Sequence, residues 1–204
     1  MIAALFAMLA RLIAGGSARW VEPLPEDRQR VYFANHSSHL DFVLVWAALP
    51  PRVRRRTRPV AAADYWNRGP IRRYLAAKVF RAVLVDRSGS TDGAERGREA
   101  VARMAEGLGD ADSLILFPEG TRGSGERLAP FKSGLYHLCR ERPDVEIVPV
   151  HIENLNRVLP KGESIPVPMI SRITFGPAMR LEHAEQKDAF LERAQDAVER
   201  LGRE

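Results

Sequence analysis

The stretch "VYFANHSSHLDFVLVWAA", residues 31–48, holds two kinds of pattern in one short span. "VYFA" (31–34) is a compact apolar and aromatic run of strand length, and a helical stretch follows over roughly Ser38 to Ala48. Between them lie two serines, two histidines and an aspartate. A strand that feeds a helix through a short polar turn is the repeating unit of α/β proteins.

The same alternation continues along the chain. "RPVAAA" (58–63) reads as a strand, and a helix is expected from about Gly69 to Val79 with Pro70 in its first turn. "AVLV" (82–85) is a third strand. "STDGAERGREAVARMAEGLG" puts Val101, Met104 and Leu108 on one stripe of a helix. "SLILF" (113–117) is a buried strand, a helix follows from about Ser133 to Arg140, and "EIVPVHI" (146–152) and "SRITFG" (171–176) are further strands. The tail from about Glu185 to Leu201 is an amphipathic helix through Phe190, Ala194, Ala197, Val198 and Leu201. The predicted fold class is therefore α/β: a single domain, residues 21–204, with a mainly parallel mixed sheet flanked by helices. In such sheets the reactive groups gather beyond the carboxyl ends of strands. "NHSSHLD", "DRSG" and "PEGTRG" all fall there.

Residues 1–20 stand apart. "MIAALFAMLARLIAGG" carries one charge, Arg11, and stops at Gly15-Gly16, short of the ~20 apolar residues a spanning helix needs. The basic residue comes too late for a secretory leader. Ile2, Leu5, Phe6, Leu9, Leu12 and Ile13 recur at helical spacing. Two readings stand: a helix in the membrane interface, with Trp20 at headgroup level and Arg11 and Arg19 snorkelling, or a helix docked on the protein's own core. The first implies a monotopic or peripheral protein on the cytoplasmic face of a membrane.

The chain has 31 Lys and Arg against 26 Asp and Glu among 204 residues, a net charge of +5, and a pI near 9.8. That excess favours anionic partners such as lipid headgroups, phosphorylated substrates, an acidic carrier or nucleic acid. "PPRVRRRTRP" (50–59) concentrates five arginines, either to dock on an anionic surface or simply as a solvated connection. No aromatic-rich basic stripe supports nucleic acid. Cys139 is the single cysteine, which rules out an internal disulfide and a multi-cysteine zinc site, and its surroundings in "GLYHLCRE" mark it as a small core residue. No P-loop and no Gly-x-Gly-x-x-Gly occurs, and no metal site is evident.

His36 and Asp41 are the candidate catalytic pair. Their spacing alone is weak, since His183 and Asp188 repeat it in the polar opening of the last helix. Along a regular helix five residues turn about 500°, leaving the side chains about 140° apart. They meet only if His36 lies in the turn and Asp41 in the first helical turn folds back, and Ser38-x-x-Asp41 has the form of a capping box that gives this arrangement. An imidazole braced by a carboxylate is a general base. With no Gly-x-Ser-x-Gly elbow and the lone cysteine elsewhere, the activated hydroxyl belongs to the substrate. The loop after "SLILF" supplies Glu119, Gly120, Thr121, Arg122 and Gly123. The glycines let backbone approach a ligand, Arg122 offers a forked donor for phosphate and Thr121 a hydroxyl. Glu119 either orients a ligand hydroxyl or holds Arg122. Arg87 in "VLVDRSGS" is a third strand-end cation, or the partner of Asp86.

Together these segments resemble the glycerolipid acyltransferase family, in particular the 1-acylglycerol-3-phosphate (lysophosphatidate) acyltransferases. "NHSSHLD" matches the family's Asn-His-x-Ser-x-x-Asp block, "VDR" its second, "FPEGTRG" its third and "IVPVHI" its fourth, covering about Val31 to Ile152. The resemblance implies a glycerol-phosphate acyltransferase-like fold and a membrane-bound enzyme of phospholipid biosynthesis. It implies acyl transfer, with no cofactor, from acyl-CoA or acyl carrier protein to a lysophospholipid hydroxyl, giving phosphatidate without an acyl-enzyme. It makes His36 the base and Asp41 its partner. Arg87, Glu119, Gly120 and Arg122 then bind the acceptor's glycerol-phosphate, Lys132 of "FKSG" is a further phosphate candidate, and Pro149 shapes the pocket. Ala82 and Leu84 stand where relatives often have glycine and an aromatic. Two rivals follow: an acyltransferase for another lysophospholipid or lyso-aminolipid, and a non-catalytic binder of anionic lipid or nucleic acid.

Overall fold

The computed structural model of the chain describes residues 8, 17–23, 25–38, 40–86, 92–123, 127–153 and 171–203. Of the expected N-terminal helix only Met8 and Ser17–Trp20 lie within them, and Arg87 lies outside. Fourteen segments follow in order: β1 (Ser17–Trp20), β2 (Arg30–Ala34), α1 (Asp41–Ala48), α2 (Pro51–Arg55), β3 (Thr57–Ala62), α3 (Ala63–Trp66), α4 (Pro70–Tyr74, continued by a π-helical turn Leu75–Val79), β4 (Val83–Val85), α5 (Gly93–Leu108), β5 (Ser113–Leu116), α6 (Gly134–Glu141), β6 (Glu146–Glu153), β7 (Arg172–Phe175) and α7 (Lys187–Leu201).

The strands form one seven-stranded sheet in the order β1-β7-β6-β2-β5-β3-β4. The five strands from β6 to β4 run parallel, and β7 and β1 run against them. The mainly parallel mixed sheet is thus as the alternation predicts. Because strand side chains alternate between faces, β2 feeds two cores. Tyr32 and Ala34 join Trp46, Leu44, Phe80 and Phe175 on the α1 side. Val31 and Phe33 join Met104, Leu135, Leu138 and Phe190 beneath α5, α6 and α7. β2 is buried along its whole length, which a strand covered by helices on both faces requires.

The structure departs from the sequence reading at short elements. Ser17–Trp20, expected to finish the N-terminal helix, is an edge strand paired with β7. Trp20 stacks on Phe175 at 4.0 Å and 6°, so its ring is committed to the sheet rather than to headgroups. The arginine-rich connection contains α2, and three of its five arginines serve as ties: Arg54 donates to the Ala47 carbonyl, Arg56 to Ala111, and Arg58 to Arg81 and Gly107. Helix α1 starts at Asp41 rather than Ser38, because Ser38 to Asp41 forms a turn closed by the Asp41 N–H on the Ser38 carbonyl. Among the described residues no helix is long and apolar enough to cross a membrane.

Candidate active site

β2 and β5 are neighbours with Phe33 opposite Leu116. Three residues beyond each lie His36 and Glu119, so the two polar loops leave the sheet side by side. The register makes them touch. The His36 N–H donates to Glu119 Oε1 at 2.7 Å, and the Gly123 N–H donates to the His36 carbonyl at 2.8 Å. The Phe117 ring stacks on the imidazole, with centroids 4.3 Å apart. Before His36, the Asn35 side-chain amide pairs with both backbone groups of Ile152 in β6, at 2.9 and 2.8 Å. It stands in for one more peptide of the ladder while its own backbone turns away.

His36 Nδ1–H donates to Asp41 Oδ2 at 2.7 Å. The ring is 22% exposed and the carboxylate 0%. A carboxylate only accepts, so this bond places the proton on Nδ1 and leaves the Nε2 lone pair for a substrate. Asp41 Oδ2 also takes the N–H groups of Ser37 (2.7 Å) and Ser38 (2.9 Å), which folds the turn around the carboxylate. Oδ1 is buried with no partner among the described residues. The expected capping box does not close: the N-cap of α1 is Leu40, with no side-chain cap, and Ser38 Oγ accepts the Leu40 N–H at 3.3 Å. The second copy of the spacing behaves differently: His183 is exposed, and Asp188 lies 3.5 Å from Lys187.

Glu119 is 3% exposed, and its second oxygen accepts the Ala129 N–H at 2.9 Å. Both carboxylate oxygens are thus engaged by backbone. Gly120 has φ +72°, where glycine is favoured, and Lys132 lies across it: a Cβ there would fall 2.7 Å from Nζ. Arg122 is half-buried and Thr121 exposed, and among the described residues Arg122 has no ion pair. Lys132 thus lies against Gly120, and the loop's backbone meets that of His36 through Gly123. Pro149 sits within the sheet opposite Phe33, at a level below His36. Cys139 is buried, and burial pushes its thiol up to about 12, which makes it inert as a nucleophile. The sequence reading missed Phe117, Asn35 and the backbone of Ala129. Only the adjacency of β2 with β5 and β6 reveals them.

An imidazole braced by a buried carboxylate at the carboxyl end of a central parallel strand is an arrangement that can serve as a general base. A family model described as Acyltransferase matches residues 19–153, and the chain belongs to that family. The 1-acyl-sn-glycerol-3-phosphate acyltransferase of Limnanthes alba is 28% identical over 162 residues, covering 74% of this chain and 53% of the plant protein. The protein of that name from Haemophilus influenzae is 28% identical over 137 residues, covering 62% and 50%. A taffazin from Dictyostelium discoideum is 29% identical over 154 residues, covering 70% and 51%. The chain spans about half the length of these relatives. The crystal structure of the 1-acyl-sn-glycerophosphate acyltransferase PlsC from Thermotoga maritima covers 99% of this chain, and 78% of that chain is matched, with a TM-score of 0.73 and 17% identity. The two share a fold.

Proposed function

We propose that the protein is a membrane-surface O-acyltransferase that moves a fatty acyl group from an acyl thioester to the free hydroxyl of lysophosphatidate, giving phosphatidate. The observation that carries this reading is the 2.7 Å His36–Asp41 bond, which leaves Nε2 as the proton acceptor. Nε2 takes the acceptor's hydroxyl proton as the oxygen attacks the thioester carbonyl. The C–O bond forms, the C–S bond breaks, and the departing thiolate recovers the proton from the imidazolium. Asp41 stabilises that transient cation. Arg122 and Lys132 hold the phosphate, with Gly120 allowing close approach and Thr121 adding a hydroxyl. Arg87 is a further phosphate contact by family pattern. Acyl-CoA or acyl carrier protein supplies the thioester, and the cytoplasmic face of a membrane supplies the acceptor.

Glu119 has a different task from the acceptor contact implied by its family block. With both oxygens held by the His36 and Ala129 N–H groups, it positions the base. Glu119→Gln turns one acceptor into a donor, against an N–H that is itself a donor. A mispaired group of this kind costs about 1–3 kcal/mol, so kcat is expected to fall by about 10–10²-fold with the acceptor KM little changed. A raised KM at unchanged kcat would assign the carboxylate to substrate instead.

The reading is tested by supplying purified protein with long-chain acyl-CoA, or the matching carrier-protein thioester, and a panel of lyso-lipids. Thiol release is expected to be fastest with lysophosphatidate, whose phosphomonoester suits two cations. Faster release with another lyso-lipid reassigns the acceptor. Release with none of them overturns the reading.

A further inference from the structure

From Tyr65 to Val85 the chain has no acidic residue and five basic ones. Arg81 is spoken for by Asp112, at 2.6 Å. The other four, Arg68, Arg72, Arg73 and Lys78, are exposed on and around α4. Between them stand Ile71, 74% exposed, and Tyr74, 50% exposed. Of the four large hydrophobic residues exposed among those described, two therefore sit three apart on this one short helix, where helical spacing places them on the same face. The Arg72 guanidinium rests over the Tyr65 ring at 4.4 Å, and Arg68 donates to the Asp64 carbonyl at 3.0 Å, so these cations are held on the surface. Asp64 and Asp86 are the nearest acids along the chain, one at each end of the basic span.

We propose that α4 is a membrane-docking ridge, on which Ile71 and Tyr74 enter the interface of an anionic bilayer while Arg68, Arg72, Arg73 and Lys78 meet its headgroups. A short helix with an apolar tip and a basic flank is the pattern of an interfacial element. Tyrosine suits the boundary because its ring is apolar and its hydroxyl is wet. An acidic protein would reward the cations but gives no reason for an isoleucine held in water. The location fits the chemistry as well. α3 and α4 follow β3 and the catalytic turn follows β2, two strands that run parallel within the sheet, so ridge and imidazole share the carboxyl end. Phe42, next to Asp41, packs on Trp66 and Phe80 at 5.5 and 5.0 Å, and those two rings flank α4 in the chain. A lipid acceptor can then reach His36 without leaving the membrane surface. The inference rests on the acyltransfer reading for its lipid substrate.

The test is co-sedimentation of the full chain with vesicles of phosphatidylcholine alone, and of phosphatidylcholine and phosphatidylglycerol in equal parts. Arg72→Gln/Arg73→Gln is expected to lower partitioning onto the anionic vesicles by about tenfold or more. Ile71→Ser/Tyr74→Ser is expected to lower it about tenfold on both kinds of vesicle. With short-chain, monodisperse substrates both double variants are expected to release thiol within about twofold of the unaltered protein, as exposed substitutions should, which also shows that they fold. Partitioning that neither variant changes overturns the proposal. So does a variant whose partitioning is unchanged but whose rate falls only with carrier-protein thioester, since the ridge would then receive an acidic protein. Absence of thiol release by the unaltered protein in the monodisperse assay would overturn the acyltransfer reading and leave the vesicle result to judge the ridge.

Discussion

His36→Ala is expected to lower kcat for acyl transfer by about 10⁴-fold, at the upper end of what a positioned general base contributes, while the acceptor KM stays within a few-fold. The backbone of His36 is fixed independently of its ring, through the Glu119 carboxylate and the Gly123 N–H. The turn should therefore keep its shape in the variant. What is lost is the Nε2 lone pair, the stacking on Phe117 and the Nδ1–H given to Asp41, whose Oδ2 keeps the Ser37 and Ser38 N–H groups. A folded protein with a melting temperature lowered by a few degrees, for the donor that buried Asp41 loses, and with activity gone is the expected pair of results. A variant that unfolds would show that the ring is structural, and one that turns over normally would remove His36 from the chemistry.

Asp41→Ala is expected to cost about 10³-fold in kcat and also to destabilise the protein. One oxygen, Oδ2, takes the imidazole and the Ser37 and Ser38 N–H groups together. Alanine removes all three acceptor contacts in a buried place, at about 1–3 kcal/mol for each buried group left unsatisfied. Asp41→Asn separates the two roles. Its amide oxygen can occupy the Oδ2 position and keep all three bonds, so the Nδ1–H tautomer survives. Only the negative charge facing the imidazolium is lost, and the NH₂ falls in the buried Oδ1 position, which has no partner among the described residues. The asparagine variant is therefore expected to be more active than the alanine variant, by about tenfold, though still far below the unaltered protein. Rates and thermal melts of the two proteins side by side check this. Equal activity would mean that charge is everything and geometry nothing.

Much of this was legible in the sequence, for identifiable reasons. β2, β5 and β6 are apolar runs bounded by polar turns, and α5 and α7 carry their buried residues at helical spacing. Such signals survive without tertiary context. β1, α2 and α3 are four or five residues each, too short for periodicity to show, and β1 exists because β7 offers it an edge. The His36–Asp41 pair was legible because the turn that joins them is local, spanning six residues. The bond from Glu119 to the His36 backbone joins residues 83 apart, and it depends on the β2–β5 register. Arg54, Arg56 and Arg58 could not be read as ties from sequence because the groups they donate to are mostly carbonyls, which every residue has.

In the proposed reaction the imidazole acts on the acceptor's hydroxyl and on no group of the protein. The most direct measurement mixes the protein with an equimolar long-chain acyl thioester, first without lysophosphatidate and then with it, while thiol and protein mass are followed. We predict no thiol and no acyl adduct before the acceptor is added, then thiol and phosphatidate in equal amounts. One equivalent of thiol released before the acceptor arrives, with the acyl group left on the chain, would contradict it.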